Sequence, residues 1–164
     1  MKVSLRTKLS LSFLLVTVLL FAIVSVFANY FLEKQFRAYA VNKQEQQIQD
    51  TMALLSSRYS DWGNRWDAAG LESIGVNTLS EGLILRVHDS ASVVIWDARI
   101  HNDGMCTAML EHMAMNMQSY SPAFRGEYIE KNYPVVINGA QVGNIDIGFY
   151  GPYFYSDNDL VFLG

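Results

Sequence analysis

Cysteine is almost absent from this 164-residue chain: Cys106 is the only one, which excludes an internal disulfide. Proline is scarce, with three residues, and none falls before Pro122. The first two thirds of the chain are therefore free to form long helices. Charge is missing altogether between Lys8 and Glu33. Basic residues are scarce further on. Lys2, Arg6 and Lys8 precede that uncharged run, leaving nine of the twelve Lys and Arg against all sixteen Asp and Glu after Leu32, a net charge of −7. This acidic balance excludes the electrostatic footprint of a nucleic-acid binder. The catalytic signatures G-x-S-x-G, C-x-x-C, H-E-x-x-H and the P-loop are all missing, and no catalytic residue is assigned.

The uncharged run, Leu9 to Leu32, reads LSLSFLLVTVLLFAIVSVFANYFL. As a helix it is about 36 Å long, enough to cross a hydrocarbon core of about 30 Å. Only basic residues flank it on the N-terminal side, which places residues 1–8 in the cytoplasm and residues after about 32 outside the plasma membrane. The alternative is a cleaved signal peptide, for which Val26-Phe27-Ala28 supplies tolerable cleavage residues. The run exceeds the usual apolar core of about 7–15 residues in such peptides, which favours an uncleaved anchor in the lipid bilayer. Either reading exports the rest of the chain.

Residues 33–60 contain no Gly or Pro and are rich in helix formers. Val41, Glu45, Ile48, Met52, Leu55 and Tyr59 recur at steps of three and four, so the anchor is expected to continue into a long juxtamembrane helix. The stripe suits a homodimer seam or packing on the helix's own domain. Residues 61–82 carry Gly63, Gly70, Gly75 and Gly82 and read as a broken, loop-rich connection. Trp62 and Trp66, one helical turn apart, either plug the edge of a core or line a pocket.

The period then changes. Leu83–Asp89 and Ser92–Asp97 form a hairpin signal. Asp89, Asp97 and Asp103 suit turn chemistry better than paired-carboxylate catalysis. After Asn102-Asp103-Gly104 a helix is expected, holding five of the seven methionines between positions 105 and 117. Strand character resumes at Phe124, Asn138-Gly139 is a type I′ turn signal, and Gln141–Tyr150 alternates. Its Ile145, Ile147 and Phe149 share one face, with Asn144, Asp146 and Gly148 on the other. The whole reads as a transmembrane helix continuing into a long helix, then an α+β domain over residues 61–155 with an antiparallel sheet of about four or five strands. Leu160-Val161-Phe162-Leu163 opens another apolar run, capped by Ser156 or Asp157. Residues 156–164 are therefore expected to begin a second membrane helix, cut short.

This succession resembles the N-terminal membrane and sensor portion of bacterial two-component sensor histidine kinases. GEYIEKNYPVVINGAQVGNIDIGFYGPYFYSDNDLVFL is similar to the membrane-proximal end of such sensor domains, and VHDSASVVIWD resembles the central hairpin of the PAS-like (Cache-like) exported sensor fold. The resemblance implies an extracytoplasmic signal-sensing module, a homodimer and a cognate response regulator. It implies ATP and Mg only for a kinase part that these residues do not contain. His88, His101 and His112 all lie on the exported side, so none is the phosphoacceptor. The stimulus stays unknown. The alternatives are the input module of another receptor type or a membrane-anchored small-molecule or metal-binding protein.

Two residue groups are candidate sites. Met105, Cys106, Met109, His112 and Met113 carry soft or borderline ligands suited to copper(I), less so to zinc. The same residues equally suit core filling or an apolar pocket. The resemblance implies a ligand pocket where sheet meets helix, for which Trp96, Arg99, Tyr128, Phe149 and Tyr150 are the candidate residues. Tyr133 is a further aromatic there, and Arg86 and Arg125 are further anion partners.

Overall fold

The computed structural model describes residues 5–163. Lys2, part of the basic tail, and Gly164 lie outside the described residues. The chain divides into two compact units, residues 1–39 and 40–164. Helix α1 spans Leu5–Asp61 and contributes to both.

In the first unit the apolar side chains of α1 from Leu5 to Leu32 are exposed: Leu11, Leu15, Phe21 and Phe27 are all more than half accessible. The helix is long and apolar enough to cross a membrane. Within that stretch, the hydroxyl of Thr17 donates to the Phe13 carbonyl at 2.9 Å, so it brings no unmet donor into lipid.

In the second unit α1 packs by Ala40, Gln44, Ile48, Thr51 and Leu55. Ile48, Met52, Leu55 and Tyr59 of the expected stripe face inward or half inward, but Val41 and Glu45 are exposed. The buried line begins one residue earlier than the apolar pattern indicates. Small Ala40 and the amphipathic Gln44 take the inward positions because they border a cleft.

The segment read as a loop-rich connection contains helix α2, Ala68–Ser80. Asp67 caps it, its carboxylate accepting from Gly70 N at 2.9 Å. Gly70 and Gly75 are close-approach positions: a Cβ there would fall 2.2 Å from the Trp62 ring and 1.9 Å from the Trp96 ring. Both glycines sit within a helix because two tryptophans need the room. Trp62 and Trp66 are half-buried against the core.

Strand β1 (Ile84–Asp89) and β2 (Val94–Asp97) form the expected hairpin. Asp89 Oδ1 accepts from Ala91 N and Val93 N, both at 2.8 Å, and closes the turn. A short helix α3 (Ala98–His101) leads to α4 (Asp103–Tyr120). Strands β3 (Glu127–Ile137) and β4 (Ala140–Gly151) follow, joined by Asn138 and Gly139 at φ 51° and 80°, as a type I′ turn requires. Helix α5 runs Asp157–Leu163. Ser156 and Asp159 close its start reciprocally: Ser156 N donates to Asp159 Oδ2 at 2.9 Å and Asp159 N to Ser156 Oγ at 3.4 Å.

The four strands are ordered β2-β1-β4-β3, every neighbouring pair antiparallel. One sheet face carries Trp96, Leu85, Val87, Ile145, Ile147, Phe149 and Val135, all in the core together with Ile48, Leu55 and Leu71. The opposite face carries Arg86, His88, Asn144, Asp146, Glu130 and Asn132.

Candidate functional site: a charged row across the sheet

The register sets Asp97 opposite Arg86, Arg86 opposite Asp146, and Asp146 opposite Asn132. One residue from each strand thus forms a polar row across the full width of the sheet. The alternation that sends Leu85 and Val87 into the core sends Arg86 and His88 to this face.

Arg86 is the hub. Its Nε lies 3.0 Å from Asp97 Oδ2, one terminal nitrogen 3.0 Å from Glu130 Oε2, and the other 3.4 Å from Asp146 Oδ2. Its side chain is only 18% exposed, so three carboxylates surround a largely desolvated guanidinium. The Nε atom is buried and, among the described residues, has no hydrogen-bond partner of good geometry; it meets Asp97 as an ion pair.

Further contacts extend the row. His88 Nε2 is 2.7 Å from Asp146 Oδ2, and Asn132 Nδ2 donates to Asp146 Oδ1 at 2.6 Å. Tyr128 Oη donates to Glu130 Oε2 at 2.8 Å. Arg99, from α3, reaches Asp97 at 3.3 Å and Glu130 at 3.6 Å. Gly148 makes the Tyr128 position possible, since a Cβ there would lie 2.1 Å from its hydroxyl. Asp97 also caps α3, accepting from Arg99 N at 2.9 Å, and so ties the row to the helix that supplies Arg99.

Burial pushes the Asp97 carboxyl above its ordinary value, even against the opposing charge of Arg86. Burial also opposes ionisation of Asp146. There the hydrogen bonds of Asn132 and His88 and the charges of His88 and Arg86 prevail and hold the carboxyl below its ordinary value. Burial, then the hydrogen bond and charge of Glu130, push the Tyr128 phenol far up. Three carboxylates against two guanidinium groups leave the row one negative charge in excess when His88 is neutral.

Of the residues expected to line a pocket, Arg99 and Tyr128 belong to this row. Trp96 is buried in the core, its indole N–H donating to Glu72 Oε2 at 2.9 Å. Phe149 is buried on the apolar face with Lys131 Nζ 5.6 Å from its ring centre. Tyr150 is buried next to Phe124. Tyr133, half-buried, packs against the apolar core rather than the row. Arg125 donates to the Pro122 and Phe124 carbonyls and plays no part in the row.

The soft-ligand group is split between buried and exposed positions of α4. Cys106, Met113 and Met117 form the buried line of α4, with Met109 half-buried beside it. Met105 is 51% exposed. His112 is also exposed and sits 2.8 Å from Asp157 Oδ1. Among the described residues no three His, Cys, Asp or Glu side chains group as a metal site.

His88, Glu130, Asn132 and Asp146 escaped the sequence reading as site residues. The polar half of the β4 alternation, Asn144-x-Asp146, was the available signal.

No curated protein and no solved structure matches the chain. A family model described as a Cache-like sensory domain of BaeS type matches residues 4–147, which takes in the apolar helix, the charged row's hub and most of the sheet. The chain belongs to the family of Cache-like sensory domains of BaeS type.

Proposed function

We propose that this chain is the membrane-anchoring and extracytoplasmic input portion of a sensor histidine kinase in a two-component phosphorelay. The observation that carries the reading is the family match over residues 4–147, which joins a lipid-suited helix and the four-strand sensory sheet in one unit of descent. Arg6 and Lys8, with Lys2 before them, support a cytoplasmic N-terminus and an exported domain after about residue 32.

The charged row is the stimulus-responsive face. Its partners come from all four strands and α3, so a change at Arg86, Glu130 or Asp97 alters contacts of several elements together. A stimulus acts by favouring one of two arrangements of the domain, to the extent that it interacts differently with each. The parent works as a homodimer in the bilayer, with the exposed Val41–Glu45 side of α1 as a seam. It hands phosphate to a response regulator. ATP and Mg belong to a kinase part outside these residues, and no side chain of this chain is assigned to them.

The test is ATP-dependent phosphate incorporation by the full-length parent in membrane vesicles, followed by transfer to a response regulator. Incorporation on a histidine supports the reading. A parent that takes up no phosphate refutes it.

A further inference from the structure

A charged contact ties the end of the chain to α1, within the second unit. Lys43 Nζ lies 3.0 and 3.1 Å from the two carboxylate oxygens of Asp159 and 3.4 Å from Ser156 Oγ. The Asp159 side chain is only 7% exposed, whereas Lys43 is 33% exposed. Lys43 borders a cleft of about 220 Å³ that is also lined by Glu81, Gln44 and Gln47. A second carboxylate thus lines the cleft into which this flexible ammonium opens.

We propose that Lys43 is a two-position latch, holding α5 on α1 through Asp159 and releasing it by moving across the cleft to Glu81. Three features suit it to switching rather than stapling. Asp159 keeps its bonds from Ser156 N and Ser156 Oγ (2.9 and 2.7 Å) when Lys43 leaves, so α5 retains its cap in both positions. Glu81 is the C-cap residue of α2 and stands two residues before the buried Leu83 that leads into β1. The alternative acceptor is thus joined through Gly82 and Leu83 to the sheet that carries the charged row. Asp157, at the first position of α5, is held independently by Asn116 at 2.7 Å and His112 at 2.8 Å. Release by Lys43 leaves α5 attached to α4 and free to turn about that contact. A stimulus that shifts Glu81 relative to Asp159 changes which carboxylate Lys43 prefers, and so biases α5.

The latch rests on the sensor reading only for its consequence further along the chain. Its test uses this chain in lipid nanodiscs, with nitroxide labels at Gln46→Cys and Asn158→Cys in a Cys106→Ala background. Distances are read by double electron–electron resonance. The expected wild-type result is one dominant distance with a minor longer component. Asp159→Asn should make the longer component dominant, and Glu81→Gln should abolish it. The reversed pair, Lys43→Asp with Asp159→Lys, should restore the short distance. If Asp159→Asn does not fold, Glu81→Gln, at an exposed position, carries the test alone. Distance distributions identical to wild type in the folded variants overturn the latch. This readout needs no kinase: unchanged distances leave the sensor reading standing, and a parent without kinase activity leaves the latch standing.

Discussion

His88 Nε2 lies 2.7 Å from Asp146 Oδ2, and both residues occupy the polar face of a sheet whose other face is core. Asp146 also receives Asn132 and lies 3.4 Å from Arg86, so it is the acceptor on which β1, β3 and β4 meet. Asp146→Asn is expected to cost about 1–3 kcal/mol at neutral pH. The folded carboxyl sits below its ordinary value, so its stabilising contribution is full above the unfolded value of about 4 and is lost as pH falls through the lowered one. The gap between wild type and variant in urea melts should therefore narrow from pH 7 to pH 3. Asp97 has the opposite sign, being raised by burial, and is common to both proteins. A gap that stays constant over that range contradicts the assignment.

Two helical glycines should respond in opposite directions to alanine. Gly75→Ala places a Cβ 1.9 Å from the Trp96 ring, and the overpacking cost of about 1–3 kcal/mol exceeds the helix-propensity gain of about 1. Gly104→Ala, in the first turn of α4, meets nothing within 4 Å and should stabilise by some fraction of that gain. Thermal melts of the pair decide it, and equal shifts of the same sign would count against the packing described.

Those glycines also show where the sequence is legible. Hairpins, the Met-rich helix and the antiparallel sheet follow from alternation and turn residues that act locally. Helix α2 does not, because Gly70 and Gly75 look like breakers until Trp62 and Trp96 are seen to fill the space they leave. The charged row depends on a bulge at Val135/Val136. A regular hairpin continued from the Ile137–Ala140 pair would put Lys131 opposite Asp146. The bulge shifts the register by one and brings Asn132 there. Arg86 and Arg99 were visible as cations, but only the register shows that Asp97, Glu130 and Asp146 converge on Arg86. In α4, helical spacing alone could not separate the buried line through Cys106, Met113 and Met117 from the exposed Met105 and His112.

Cys106 should be a slow thiol. It is 3% exposed, and burial pushes its thiol up, with the charges of Asp103 and Asp97 adding to the effect. Maleimide labelling of the folded chain at pH 7 is expected to be far slower than in denaturant. Rapid labelling without denaturant would mean that α4 is not seated as described.

The exposed and buried sides of α1 should separate in crosslinking. Val41→Cys, at a position 45% exposed on the proposed dimer seam, is expected to form an interchain disulfide in membranes with Cys106→Ala. Leu55→Cys, at a fully buried position, is not. Leu55→Ala should instead cost about 2–5 kcal/mol of domain stability. Absence of crosslinking at Val41 and at neighbouring exposed positions would remove the seam.

The charged row as the input of a sensor kinase is tested most directly by phosphorylation of the full-length parent in membrane vesicles carrying Glu130→Gln or Arg99→Gln. Both side chains are about a third or more exposed, at 32% and 40%, so the fold should survive their loss. A coupling of about 1–3 kcal/mol between the row and the output corresponds to roughly 5–150-fold. Each variant is expected to shift the basal phosphorylation level at least about fivefold, with thermal stability of the domain largely preserved. Phosphorylation indistinguishable from wild type in both variants would contradict it.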